Sequence, residues 1–317
     1  MARNGNTEQT ASSRGVIGAT LYELASKHDN IWIVTPDIGG NIAEFKAAYP
    51  DRFIDVGIAE QNAMGVAAGL ALEGNVPFVL GMAPFLSMRA CEQVRTAICY
   101  QNLPVRIIAT NSGTASNSGS THYGMEDLAL MKSLVNMTVI SISDPNMIGE
   151  LIRLSMDYPG PMYFRLARGK EDPVIYEPHS VEYAVGKALK VKEGSDVTIF
   201  SHGEVMVEAL KAADMLELEG IHVRVIDMFT IKPLDVDVVM CAIEETGRII
   251  VLEDHLMDGG LASSIADALV DRNLHPKAFK RLGVPQVYPG FGGGPALRRK
   301  YGYDAEAVIE IIRTMIK

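Results

Sequence analysis

Short apolar runs alternate with helix-patterned segments twice along this 317-residue chain, and that alternation restricts the fold more than any other feature. Residues 31–34, 76–80, 105–109 and 137–142 read as strands, with helices expected at 15–27, 60–70, 88–100 and 146–156. Strands spaced by helices in this way imply a parallel sheet. A strand at 163–166 closes the first unit, and 170–195, with Pro173, Pro178 and Gly194, reads as a connection. A second alternating unit follows. Its strands are expected at 197–201, 223–226 and 248–253, and its helices at 204–219, after a cap at Asp235, at 261–272 and at 305–316. The Gly- and Pro-rich stretch 289–295 reads as a flexible link. The expected architecture is two open α/β domains, 15–169 and 196–317, with an N-terminal arm at 1–14 and a linker at 170–195.

Composition narrows the function. At 48% hydrophobic the chain can bury two cores, as its length suggests. A net charge of −10 without a basic stretch argues against nucleic acid or an anionic membrane surface as a partner. Cys91, Cys99 and Cys241 form no CxxC pair and no metal-ligand cluster, which fits reduced thiols and a cytoplasmic protein. Residues 1–13 are polar and look like neither a signal peptide nor a membrane span.

One carboxylate stands at a strand-to-helix junction. The run ending at Val56 gives way at Glu60 to small and apolar residues at helical spacing, and α/β proteins place chemistry at such junctions. Ala63, Gly65, Ala67, Ala68 and Gly69 make this helix thin enough for a flat ligand or another backbone to approach. The ordinary alternative is that a first-turn Glu only complements the helix dipole.

The segment Gly57-Ile58-Ala59-Glu60-Gln61-Asn62, with Ala67-Ala68-Gly69-Leu70-Ala71, resembles the signature of the transketolase pyrimidine-binding domain. The resemblance implies a pyrimidine-binding domain for thiamine diphosphate followed by a transketolase C-terminal-like domain. It implies that Glu60 faces N1′ of the aminopyrimidine and favours the imino form that takes the thiazolium C2 proton. General acid–base assistance of this kind is worth about 10²–10⁴-fold. The segment from Phe85 to Arg95 resembles the family's aromatic stretch, so Phe85 is expected to stack on the pyrimidine, with Met82 where a second aromatic often stands and Ile58 beside the ring. Ser120-Thr121-His122 matches the family's Thr-His segment, which implies a substrate-side acid/base role for His122; imidazole ordinarily titrates near neutrality and suits that work.

The same resemblance implies that Arg14 and Arg168 hold a terminal anion of the substrate. Three neighbouring positions depart from the family pattern. Asn111 replaces a His, Ser118 falls where an acidic side chain reads the acceptor's C2 hydroxyl, and Asn41 lies where a Ser is usual. An anionic sugar of unusual shape is the expected substrate. Downstream, 231–235 and 253–261 look like the transketolase C-terminal domain, and there His255 beside Asp254 is expected to serve structure or an interface.

The chain has no Gly-Asp-Gly, the segment from which the superfamily builds its Mg²⁺ site. No metal ligand is therefore expected here, and Mg²⁺ must be held by a separate N-terminal subunit. The resemblance implies one subunit of a split transketolase, transferring a two-carbon ketol unit from a ketose to an aldose within an α2β2 complex. The beta subunit of a 2-oxo acid dehydrogenase remains an enzymatic alternative, as does a synthase condensing pyruvate with a glyceraldehyde phosphate. A catalytically silent scaffold is the non-enzymatic alternative.

Overall fold

The computed structural model describes residues 9–37, 41–115 and 119–317. The first sheet has seven strands in the order Thr230–Lys232, Thr138–Ser141, Met162–Arg165, Arg106–Thr110, Val76–Met82, Ile31–Thr35 and Phe53–Asp55. All neighbours are parallel except the first pair. The second sheet has five strands, Ala278–Val284, Arg248–Leu256, Val197–Ser201, Val223–Asp227 and Leu189–Lys192, parallel apart from the last. The alternation read from the sequence is thus realised as two α/β units. Their strands are buried along most of their length because helices cover both faces.

Local signals explain several boundaries. Ser12 caps the helix Ser13–Ala25, its hydroxyl accepting from the Gly15 N–H at 3.1 Å. Asp144 caps Pro145–Ser155, Asp235 caps Val236–Glu245, as expected, and Asp304 caps Ala305–Ile316. Gly302, at φ 71°, ends the helix Gly294–Tyr301 in the left-handed conformation that glycine adopts without strain.

Some elements differ from expectation. The expected helix at 88–100 is broken into wide turns, Phe85–Arg89 and Val94–Cys99, on either side of a single α turn, Cys91–Gln93. Within the stretch read as a connection, Asp172–Pro173 pairs antiparallel with Thr10–Ala11, and Leu189–Lys192 becomes the edge of the second sheet. The second unit also returns a strand, Thr230–Lys232, to the first sheet. This exchange ties the two units together. Ala63, Ala67 and Ala68 pack inward, whereas Gly65 and Gly69 would meet no atom within 4 Å of an added Cβ. The thin helix thus presents an open glycine face to its surroundings.

Candidate active site

The loops leaving the carboxyl ends of the parallel strands carry nearly all the expected site residues. That end is where open α/β sheets bind ligands. After Phe53–Asp55 the Asp55 carboxylate accepts from the N–H of Gly57 at 2.9 Å and of Asp37 at 3.0 Å. The tight turn, with Gly57 at φ 70°, delivers Glu60 to the first position of the helix Glu60–Leu72. Glu60 is 3% exposed.

After Val76–Met82 the chain reaches Phe85, half-buried, and then Arg89. The Arg89 Nη1 donates to Glu60 Oε2 at 2.7 Å, and its guanidinium lies 4.4 Å from the centroid of the Phe85 ring. The Phe85 ring also meets His122 edge-on, with centroids 5.3 Å apart. Glu60, Arg89, Phe85 and His122 therefore form one continuous row. The His122 Nδ1 lies 3.0 Å from the Thr121 hydroxyl. Arg89 was missed in the sequence, though its spacing of four from Phe85 on a helical stretch is one at which a cation stacks on a ring.

A flat group that donates hydrogen bonds fits this seat. The Arg89 guanidinium is itself planar, and it is bonded to the carboxylate and stacked on the aromatic face. Met82 ends its strand in register with Thr110. Ile58 projects into solvent, 76% exposed, from the turn before Glu60.

The anion-holding candidates form a second group. The Arg14 Nη2 donates to Asn111 Oδ1 at 2.9 Å and to the Thr110 hydroxyl at 3.1 Å, while its backbone N–H donates to the Gly169 carbonyl. The Arg14 Nε is buried without a partner. Burial lowers the Arg14 pKa; the charge of Asp172 opposes this and that of Arg168 adds to it. Arg168 is exposed near Arg14, and Asn41 packs against Gly15 and Gly18 of the same helix. Asn111 is buried at φ 61°. Ser118 lies outside the described residues.

Behind the site the two units share a buried charged network. Arg165 pairs with Asp127 at 3.0 Å and donates to the Asp254 carbonyl at 2.7 Å, and Tyr163 donates to Asp127 at 2.9 Å. His202 and His255 are fully buried there, and burial lowers the pKa of each. His255 sits inside this junction, away from solvent. Among the described residues, no group of three or more His, Cys, Asp and Glu side chains could hold a metal ion.

Family models for the transketolase pyrimidine-binding domain and the transketolase C-terminal domain match residues 9–172 and 186–308. The chain belongs to the transketolase family. It is 34% identical over 304 residues to a putative transketolase C-terminal section of Methanocaldococcus jannaschii, covering 95% of each chain. It is 35% identical to one of the subunits of the apulose-4-phosphate transketolase of Phocaeicola vulgatus, covering 94% of this chain and 95% of the relative. A 1-deoxy-D-xylulose-5-phosphate synthase of Heliobacterium modesticaldum is 35% identical, but only 46% of that longer protein is covered. Among solved structures, a split gene transketolase described as an inactive beta4 tetramer superposes with a TM-score of 0.85 at 36% identity, over 96% of this chain and 98% of that one. The transketolase of Campylobacter jejuni shares the fold at a TM-score of 0.80 and 18% identity, over 99% of this chain and 48% of its own. This transketolase chain is thus the C-terminal subunit of a split, thiamine-diphosphate-dependent enzyme.

Proposed function

We propose that this chain carries the cofactor-activating and substrate-handling side chains of a two-subunit transketolase acting on anionic sugars. The observation that carries the reading is the row Glu60, Arg89, Phe85 and His122 at the carboxyl ends of the first sheet. Thiamine diphosphate, when bound, supplies the electron sink for breaking and making the carbon–carbon bond. Glu60 holds or shares a proton at the pyrimidine edge, and its burial keeps water from competing for it. Phe85 and Met82 pack the ring faces, and Ile58 closes the solvent side once a second subunit covers it. His122 takes and returns the protons of the substrate's hydroxyl and carbonyl oxygens.

Arg14 and Arg168, with Asn41, Asn111 and Ser118, hold the terminal anion. The Arg14 Nε, buried and unpartnered, supports this assignment because an incoming oxyanion would satisfy it. The Mg²⁺ ligands belong to the N-terminal subunit, since the Gly-Asp-Gly segment is missing from this chain. Exposed Ile58, Leu72 and Met88 around the Glu60 helix support a site completed by another chain, and an α2β2 complex brings two such sites together. The free cysteines support a cytoplasmic location. Among the described residues no helix is long and apolar enough to cross a membrane. We propose 1–14, 15–169, 170–195 and 196–317 as arm, first domain, linker and second domain.

The test is co-expression with the gene for the N-terminal subunit, purification of the complex and titration of thiamine diphosphate and Mg²⁺. A panel of ketose phosphates and acidic ketoses is assayed in parallel with aldose acceptors. The expected result is saturable cofactor binding and ketol transfer by the complex and neither by this chain alone. Normal cofactor and metal binding by the isolated chain would overturn the reading.

A further inference from the structure

The loop that carries His122 is mounted at both described ends on the second domain. At its start the Thr114 N–H and hydroxyl both donate to the Asp254 carboxylate, each at 2.9 Å, and the Tyr303 hydroxyl donates to the same carboxylate at 2.9 Å. Gly113, at φ 57°, lies so close that an added Cβ would collide with Asp254 Oδ2. At its far end the Tyr123 hydroxyl donates to the carbonyl of Gly292 at 3.0 Å, with a longer contact of 3.4 Å to that of Gly290. Between those glycines stands Phe291, 88% exposed, its ring edge so near Gly119 that a Cβ there would strike it. The Gly119 carbonyl accepts from the His122 N–H at 2.9 Å.

The stretch 289–295, expected to be a flexible link, is instead fastened to the residue after His122 and packed on the residue that bonds the His122 backbone. We propose that Tyr123 and Phe291 are positioning residues for ketol transfer. Through them the second domain fixes the His122 turn against Phe85 and the bound substrate. This inference rests on the assignment of His122 to the substrate.

The test uses the purified two-subunit complex carrying Tyr123→Phe, Phe291→Ala or Phe291→Leu, each also in a His122→Ala background. Tyr123→Phe and Phe291→Ala are expected to lower kcat/KM for the ketose by about 10- to 100-fold, the usual cost of misplacing a catalytic group by about 1 Å. They are expected to change its pH profile and leave the affinity for thiamine diphosphate as in wild type. Phe291→Leu, which keeps apolar packing, recovers most of the activity. In the His122→Ala background neither change costs more, because both act through that side chain. Full additivity in that background, wild-type activity and pH profile, or a parallel loss of cofactor binding would overturn the inference. A wild-type complex that turns over no ketose and aldose pair removes the functional reading and this inference with it; an active complex indifferent to both changes removes only the inference.

Discussion

The Arg89 guanidinium is bonded to Glu60 at 2.7 Å while lying 4.4 Å over the Phe85 ring, so one side chain bridges the two groups assigned to the cofactor's pyrimidine. On the proposed assignment, a bound pyrimidine would compete with the guanidinium for the same carboxylate and the same aromatic face. Arg89 is half-exposed, so water screens the pair and its worth is near that of a surface ion pair plus one cation–π contact. Arg89→Ala should therefore tighten thiamine diphosphate binding to the complex by about tenfold, or about 1.4 kcal/mol. Calorimetric titration checks this, and weaker binding would assign Arg89 to holding the cofactor instead.

Arg14→Lys should raise KM for the anionic sugar with little change in kcat. Lysine keeps the charge but lacks the planar fork that reaches Thr110 and Asn111. Loss of a charge-assisted hydrogen bond of about 1.5–3 kcal/mol corresponds to a rise of about 10- to 100-fold. Steady-state kinetics of the complex separates the two constants, and an unchanged KM would move the anion site away from Arg14.

The domain junction should make stability depend on pH through Asp227. Burial raises its pKa from 3.8 to about 7, against hydrogen bonds from Tyr176 and Ser143 that lower it, with the nearby Asp144 adding to the rise. A carboxyl whose folded pKa is raised contributes stability that is full below its unfolded pKa and is lost as pH rises through the folded one. Asp227→Asn removes this loss. Its melting temperature relative to wild type should climb between about pH 4 and about pH 7 and then level off. Buried His202 and His255 act in the opposite sense, removing stability as pH falls below the ordinary imidazole range, equally in both proteins. A difference that is flat across the range would show that Asp227 is not the titrating group.

How much could be seen beforehand differs by level. The alternation, the Glu60 junction and the Asp235 cap were legible because each is a local pattern of burial period or capping chemistry. The strand Ala278–Val284 escaped because Lys280 and Arg281 interrupt its apolar period at the sheet edge. The break in the expected 88–100 helix had no local marker, since wide turns carry no residue signature of their own. Phe85 and His122 were singled out by family motif, but their edge-on contact depends on tertiary placement. The same holds for Asp254 and Thr114, 140 residues apart in sequence.

Glu60→Gln in the purified two-subunit complex tests the account most directly. Glutamine keeps the size and one acceptor but cannot share a proton with the pyrimidine edge. The complex should assemble and still bind thiamine diphosphate and Mg²⁺, while ketol transfer falls by about 10²–10⁴-fold. Turnover close to wild type with cofactor bound would contradict the assignment of Glu60 and return it to the ordinary role of a first-turn carboxylate.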